Sequence, residues 1–133
     1  IERSGLQGRV HITGFVSRDE LVSLYRQARA LTYLSWGGPA NLPPLEAFAF
    51  GCPVIAARNA GSLEQLGDTA LLVDPGNPEE IGEAMARVHR DEALRRTLIE
   101  RGAARATLWT GDEYVRGVFG LLDSFEPIRH CWD

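Results

Sequence analysis

The stretch richest in chemistry runs Ser35-Trp36-Gly37-Gly38-Pro39-Ala40-Asn41-Leu42-Pro43-Pro44-Leu45-Glu46. Its glycines let the main chain approach a ligand closely, and its Gly and Pro content rules out regular structure until its end. A helix is expected from about Pro44 to Phe50. Proline fits the first helical position because its missing N–H would find no partner there, and Pro43, restricted by the proline after it, fits better just outside. Gly51 should stop this helix as a left-handed cap. A helix start carries roughly half a positive charge and free N–H groups, worth about 0.3 to 1 kcal/mol to an exposed anion. With two donors removed by the prolines, the N–H groups of Ala40, Asn41, Leu42, Leu45 and Glu46 remain to hold an anion. A carboxylate at Glu46 would repel a phosphate there unless it accepts hydrogen bonds from another part of the same ligand. A ribose diol, with two adjacent hydroxyls donating to one carboxylate, meets that need. The other reading is an acid that merely complements the helix dipole.

The elements that must carry this loop follow from periodicity. Val10-His11-Ile12-Thr13 alternates apolar and polar and ends at Gly14, as a strand breaking into a loop does. Ser17 with Glu20 makes a capping box, and Leu21, Leu24, Tyr25 and Ala28 form the buried stripe of the helix it starts. Further strands are expected at Ala30–Leu34, at the apolar run 53–57, and at Ala70–Val73. The second of these has the form of a parallel strand buried on both faces. Asn59-Ala60-Gly61 should turn the chain into one helical turn from Ser62 to Leu66. Asn77, Pro78 and Glu80 form an Asn-led capping box for a helix striped by Ile81, Ala84, Met85 and Val88. From Asp91 the chain reads as helical, first around Leu94 and Leu98 to a stop at Gly102, then along Val115, Val118, Phe119 and Leu122. Strands alternating with helices predict one α/β domain over residues 1–133, a Rossmann-like parallel sheet of about four strands flanked by helices. Ligands of such sheets bind outside the carboxyl ends of the strands, here at the loops 14–17, 35–43 and 59–61.

Composition narrows the function. A chain of 133 residues, 44% hydrophobic, has the length for one domain with a core. A net charge of −4 gives no basic footprint for nucleic acid. No run approaches the roughly 20 apolar residues of a membrane span. Cys52 and Cys131 have neither metal-ligand nor disulfide spacing, so a reducing cytoplasm is the expected compartment. His11, His89 and His130 pair with nothing that suggests a metal site or a nucleophile and base. All 14 basic side chains are arginine. Arg87, Arg90, Arg95, Arg96 and Arg101, interleaved with Asp91, Glu92 and Glu100, read as a solvated face. Trp36 reads either as a sugar-stacking platform or as half-buried packing at a strand end, and Glu64 either as a donor-side acid or as an exposed helical residue.

Three stretches, Arg9 to Ser17, Leu42 to Ala56 and Gly67 to Pro75, match in order and spacing the retaining GT-B glycosyltransferases of family 4, and the chain resembles that family from about Gly8 to Tyr114. The resemblance implies the nucleotide-sugar-binding part of a carboxyl-terminal domain. The implied reaction is transfer of a sugar from a nucleotide diphosphate with retention and without an obligatory metal or other cofactor. By that resemblance Glu46 binds the donor's ribose, Phe15 and Val16 flank the nucleobase, and Pro39, Ala40, Asn41 and Leu42 face the donor's sugar and diphosphate. The sequence departs from the family at Gly38, which stands where the family has a first glutamate, and at Asn41, which stands where it has glycine. Asn41 could serve a sugar hydroxyl, since its amide both donates and accepts, or could simply be a turn residue. The family's diphosphate-gripping arginine and lysine fall upstream of Ile1, and its acceptor site lies on a separate amino-terminal domain. The start at Ile1, without an initiator Met, suggests a cut within a longer protein, inactive as this piece alone. Peripheral membrane association of the full-length enzyme is compatible with all of this. A GT-B nucleotide-sugar epimerase and a non-catalytic binding or interaction domain are the alternatives.

Overall fold

The computed structural model describes residues 4–37, 42–108 and 111–129. Three parallel strands, β1 (Leu31–Tyr33), β2 (Val54–Ala57) and β3 (Leu71–Val73), lie side by side in that order. Thr32 pairs with Ile55 and Ala56 with Leu72, so the strands end within one residue of each other. The helices are α1 (Arg18–Gln27), α2 (Leu42–Ala49), α3 (Ala60–Leu66), α4 (Pro78–Arg90), α5 (Glu92–Ala106) and α6 (Gly111–Arg129), and a 3-10 turn follows α3 at Gly67–Thr69.

β2 is buried along its whole length, as its unbroken apolar sequence requires. Alternation sends its side chains to opposite faces. Val54 and Ala56 join Tyr25, Ala47, Phe48 and Leu66 in one core, while Ile55 joins Val73, Ala84, Val88 and Leu98 in the other. The expected strand at Val10–Thr13 is absent. Among the described residues no strand pairs with it, and Val10 and Ile12 are 43% and 86% exposed, because alternation alone cannot hold a strand that has no ladder partner.

The caps mostly follow their sequence signals. The Ser17 side chain accepts from the Glu20 N–H, and the Ser17 N–H and hydroxyl both donate to the Glu20 carboxylate, which holds that carboxyl below its ordinary value. Of the expected stripe on α1, Leu24 is 50% exposed and lies off the buried face. Asn59 is an N-cap rather than a turn residue, and α3 therefore starts at Ala60. Asn77 caps α4 by accepting from the N–H groups of Glu79 and Glu80, but the reciprocal half of the box does not form. Glu80 instead accepts from the Asp74 N–H and the Arg58 guanidinium, partners that a local signature cannot show.

Gly102 is not a stop. α5 runs through it to Ala106, and a Cβ there would lie 2.6 Å from Phe48 Cδ1, so this glycine is the gap into which the Phe48 ring packs. On α6 the expected apolar positions are exposed, Val115 at 49% and Phe119 at 60%. Met85 on α4, also expected in a stripe, is half exposed.

Candidate functional site

β1 opens into the long loop, and the helix after it starts two residues earlier than expected, at Leu42 rather than Pro44. Both prolines fall among the first three helical positions, where no N–H has an intrahelical partner, so neither interrupts the ladder. The shift changes the set of anion donors. Glu46 becomes the fifth residue of α2, past the first turn whose N–H groups lack intrahelical partners, so its N–H belongs to the helical ladder. Among the expected main-chain donors, Leu42 lies at the helix start and is 60% exposed. Gly38, Pro39, Ala40 and Asn41 lie outside the described residues.

α2 ends in a complete Schellman motif. Gly51 adopts φ 73°, its N–H donates to the Phe48 carbonyl at 3.1 Å, and the Cys52 N–H reaches back to the Ala47 carbonyl at 2.9 Å. Cys52 follows, only 1% exposed, a core residue whose thiol pKa burial pushes up.

Glu46 stands about 6 Å along α2, in the second turn, and is exposed. The helix dipole acts on charges in the first turn and fades beyond it, so complementing the dipole does not account for an acid here. Its Oε2 accepts a hydrogen bond from the Tyr25 hydroxyl at 3.2 Å. Tyr25 is 8% exposed on the buried face of α1, its ring stacked on Phe50 with centroids 6.1 Å apart and planes 12° apart. Burial and the Glu46 charge together push the Tyr25 phenol up to about 12, so at neutral pH it is a fixed hydrogen-bond donor. The result is a carboxylate aimed from one side by a buried phenol and open to solvent on its other side. Sequence reading placed Tyr25 only in a buried stripe. The available signal was its hydroxyl, since a phenol on a buried face needs a polar partner.

Val16 is half-buried. Phe15 is 101% exposed, following Gly14 at φ 64°, so its ring rests on no protein surface, Glu46 included. Glu64 is an exposed residue of α3 whose carbonyl accepts from Arg105. Arg58, just past the end of β2, is held by the Leu72 carbonyl and by Glu80. Of the arginine face, Arg95 is drawn inward, its side chain 21% exposed and bound to Glu92. No group of His, Cys, Asp or Glu among the described residues could hold a metal ion. None of the described helices is long and apolar enough to cross a membrane.

A short parallel sheet with helices packed on both of its faces is an α/β domain of the doubly wound kind. The chain belongs to the group 1 glycosyl transferases, whose family model matches residues 1–105. It is 31% identical to O-antigen chain mannosyltransferase B of Escherichia coli, over 80% of this chain and 28% of that protein. It is 34% identical to a D-inositol 3-phosphate glycosyltransferase of Acidothermus cellulolyticus, over 77% of this chain and 23% of that one. Among solved structures, a sucrose-phosphate synthase from Thermosynechococcus elongatus matches with a TM-score of 0.75 at 28% identity, covering 92% of this chain and 31% of that one. The chain thus spans less than a third of the length of each of these relatives.

Proposed function

We propose that this chain supplies the nucleotide-sugar side of a retaining glycosyltransferase of family 4, with Glu46 holding the ribose diol of a nucleoside diphosphate sugar. The observation that carries the reading is Glu46 itself, an exposed carboxylate too far along α2 to serve the dipole yet oriented by the buried Tyr25 hydroxyl. Phe15, bare of protein contacts, is an apolar face open to a nucleobase, and Val16 flanks it. The exposed start of α2 at Leu42, with Gly38, Pro39, Ala40 and Asn41 before it, faces the sugar and diphosphate. Gly38 leaves the family's first acidic position empty, and Asn41 takes the sugar contact with its amide. No metal or other cofactor enters this reading.

The acceptor belongs to another part of a longer cytoplasmic protein, and the piece alone is inactive. The small share of each relative that the chain covers supports this division. Sugar transfer is favoured over nucleotide-sugar epimerisation or mere binding because two of the relatives carry transferase names, a mannosyltransferase and an inositol phosphate glycosyltransferase.

The test is isothermal titration of the full-length protein with UDP, GDP and ADP, followed by Glu46→Ala. Loss of a hydrogen-bonded charged group should weaken the nucleotide that binds by about 1.5 to 3 kcal/mol. Unchanged affinity would remove Glu46 from the donor site. Binding without sugar transfer or donor hydrolysis would favour a binding domain.

A further inference from the structure

Trp36 is 75% exposed, so it does not pack into the core as a tryptophan at a strand end commonly does. The main chain on either side of it is nevertheless tied down. The Asn59 side-chain amide, at the end of β2, donates to the Ser35 carbonyl at 3.3 Å, and the Ser35 hydroxyl donates to the Gly37 carbonyl at 3.0 Å. The far, benzo end of the indole abuts Gly76, where an added Cβ would meet Cη2 at 3.5 Å and Cζ2 at 3.9 Å. Gly76 in turn is held by its N–H, which donates to Asp74 Oδ1 at 2.8 Å.

Trp36 leaves the sheet from β1, whereas Gly76 follows β3, and β2 lies between them. Adjacent strands are about 4.8 Å apart, so the indole bridges the carboxyl tips of the whole sheet. Ligands of open α/β sheets bind at these tips. A rigid aromatic left in water at that place exposes a large apolar surface that folding does not use.

We propose that Trp36 is a stacking platform for a hexopyranose ring, either the donor's sugar or a sugar of the acceptor. The ring's C–H face offers apolar surface to the indole while its hydroxyls stay free for polar partners, and a preset indole loses little freedom on binding. The proposal rests on the reading that these tips bind a nucleotide sugar, and its test separates the two.

Saturation-transfer NMR of the full-length protein with methyl α-mannoside and methyl α-glucoside reports ring contact without any nucleotide. The sugar C–H signals should be present in the wild type, fall at least threefold in Trp36→Ala, and largely persist in Trp36→Phe. Donor and acceptor KM values in the same variants then assign the sugar. A rise of about three- to tenfold in donor KM, with nucleoside diphosphate affinity unchanged, marks the donor's ring, and the same rise in acceptor KM marks the acceptor's. Saccharide signals and both KM values that ignore Trp36→Ala would overturn the proposal, as would a change confined to oligomeric mass, which would make the indole a protein contact. A wild type that binds no nucleoside diphosphate but shows Trp36-dependent saccharide signals would refute the donor-site reading and leave the platform standing.

Discussion

Tyr25→Phe tests whether Glu46 works as an aimed group. The substitution removes one O–H donor and keeps the ring that stacks on Phe50 and fills the core beside Phe48. A hydrogen bond to a charged acceptor is worth about 1.5 to 3 kcal/mol, but this one is 3.2 Å long and its acceptor is exposed, so water partly replaces the phenol. What remains is about 0.5 to 1.5 kcal/mol, much of it the freedom that a loosened carboxylate must surrender when a diol binds. Donor affinity should therefore fall about two- to tenfold in Tyr25→Phe, against about ten- to 150-fold in Glu46→Ala. In the double variant the phenol has nothing left to orient, and its loss should add nothing. Calorimetric titration of the four proteins with the nucleotide that binds gives the coupling directly, about 0.5 to 1.5 kcal/mol. Equal losses from Tyr25→Phe in both backgrounds would refute the positioning role. A gain in affinity in Tyr25→Phe would refute it differently, by showing that the phenol competes with the ligand for the carboxylate.

The same phenol predicts an alkaline limit to stability. Its folded-state pKa, pushed up to about 12, exceeds the ordinary 10, so its contribution is complete below pH 10 and is lost as pH rises through 12. The loss is on the order of 2 kcal/mol, and denaturant midpoints measured from pH 9 to 12 should fall less steeply in Tyr25→Phe than in the wild type. Gly102→Ala should destabilise despite its better helix propensity. The Cβ would meet the buried Phe48 ring at 2.6 to 3.2 Å, an overpacking cost of about 2 to 3 kcal/mol that outweighs a propensity gain of about 1. Chemical denaturation should show a net loss of about 1 to 2 kcal/mol, and a more stable variant would mean that the ring moves aside freely.

What the sequence made legible depended on how local its cause was. The Ser17 box, the Asn59 and Asn77 caps and the Gly51 terminator act within a few residues, and each is present in the structure, although Asn59-Ala60-Gly61 has the composition of a turn. β2 was legible because burial on both faces leaves an unbroken apolar run. Val10–Thr13 misled for the opposite reason, since alternation describes one strand while a strand exists only with a partner. Gly102 misled because a breaker by propensity was a packing gap set by Phe48, far away in sequence. The candidate site divides along the same line. Glu46 stood out through its place after the loop, but the phenol that aims it and the glycine that backs Trp36 come from α1 and from beyond β3. Each is 21 or more residues away from its partner, and only the sheet brings them together. That separation is why a local substitution at either supporting residue, with Glu46 and Trp36 left intact, is the sharper probe of function: it can change the aim of a functional group without removing the group.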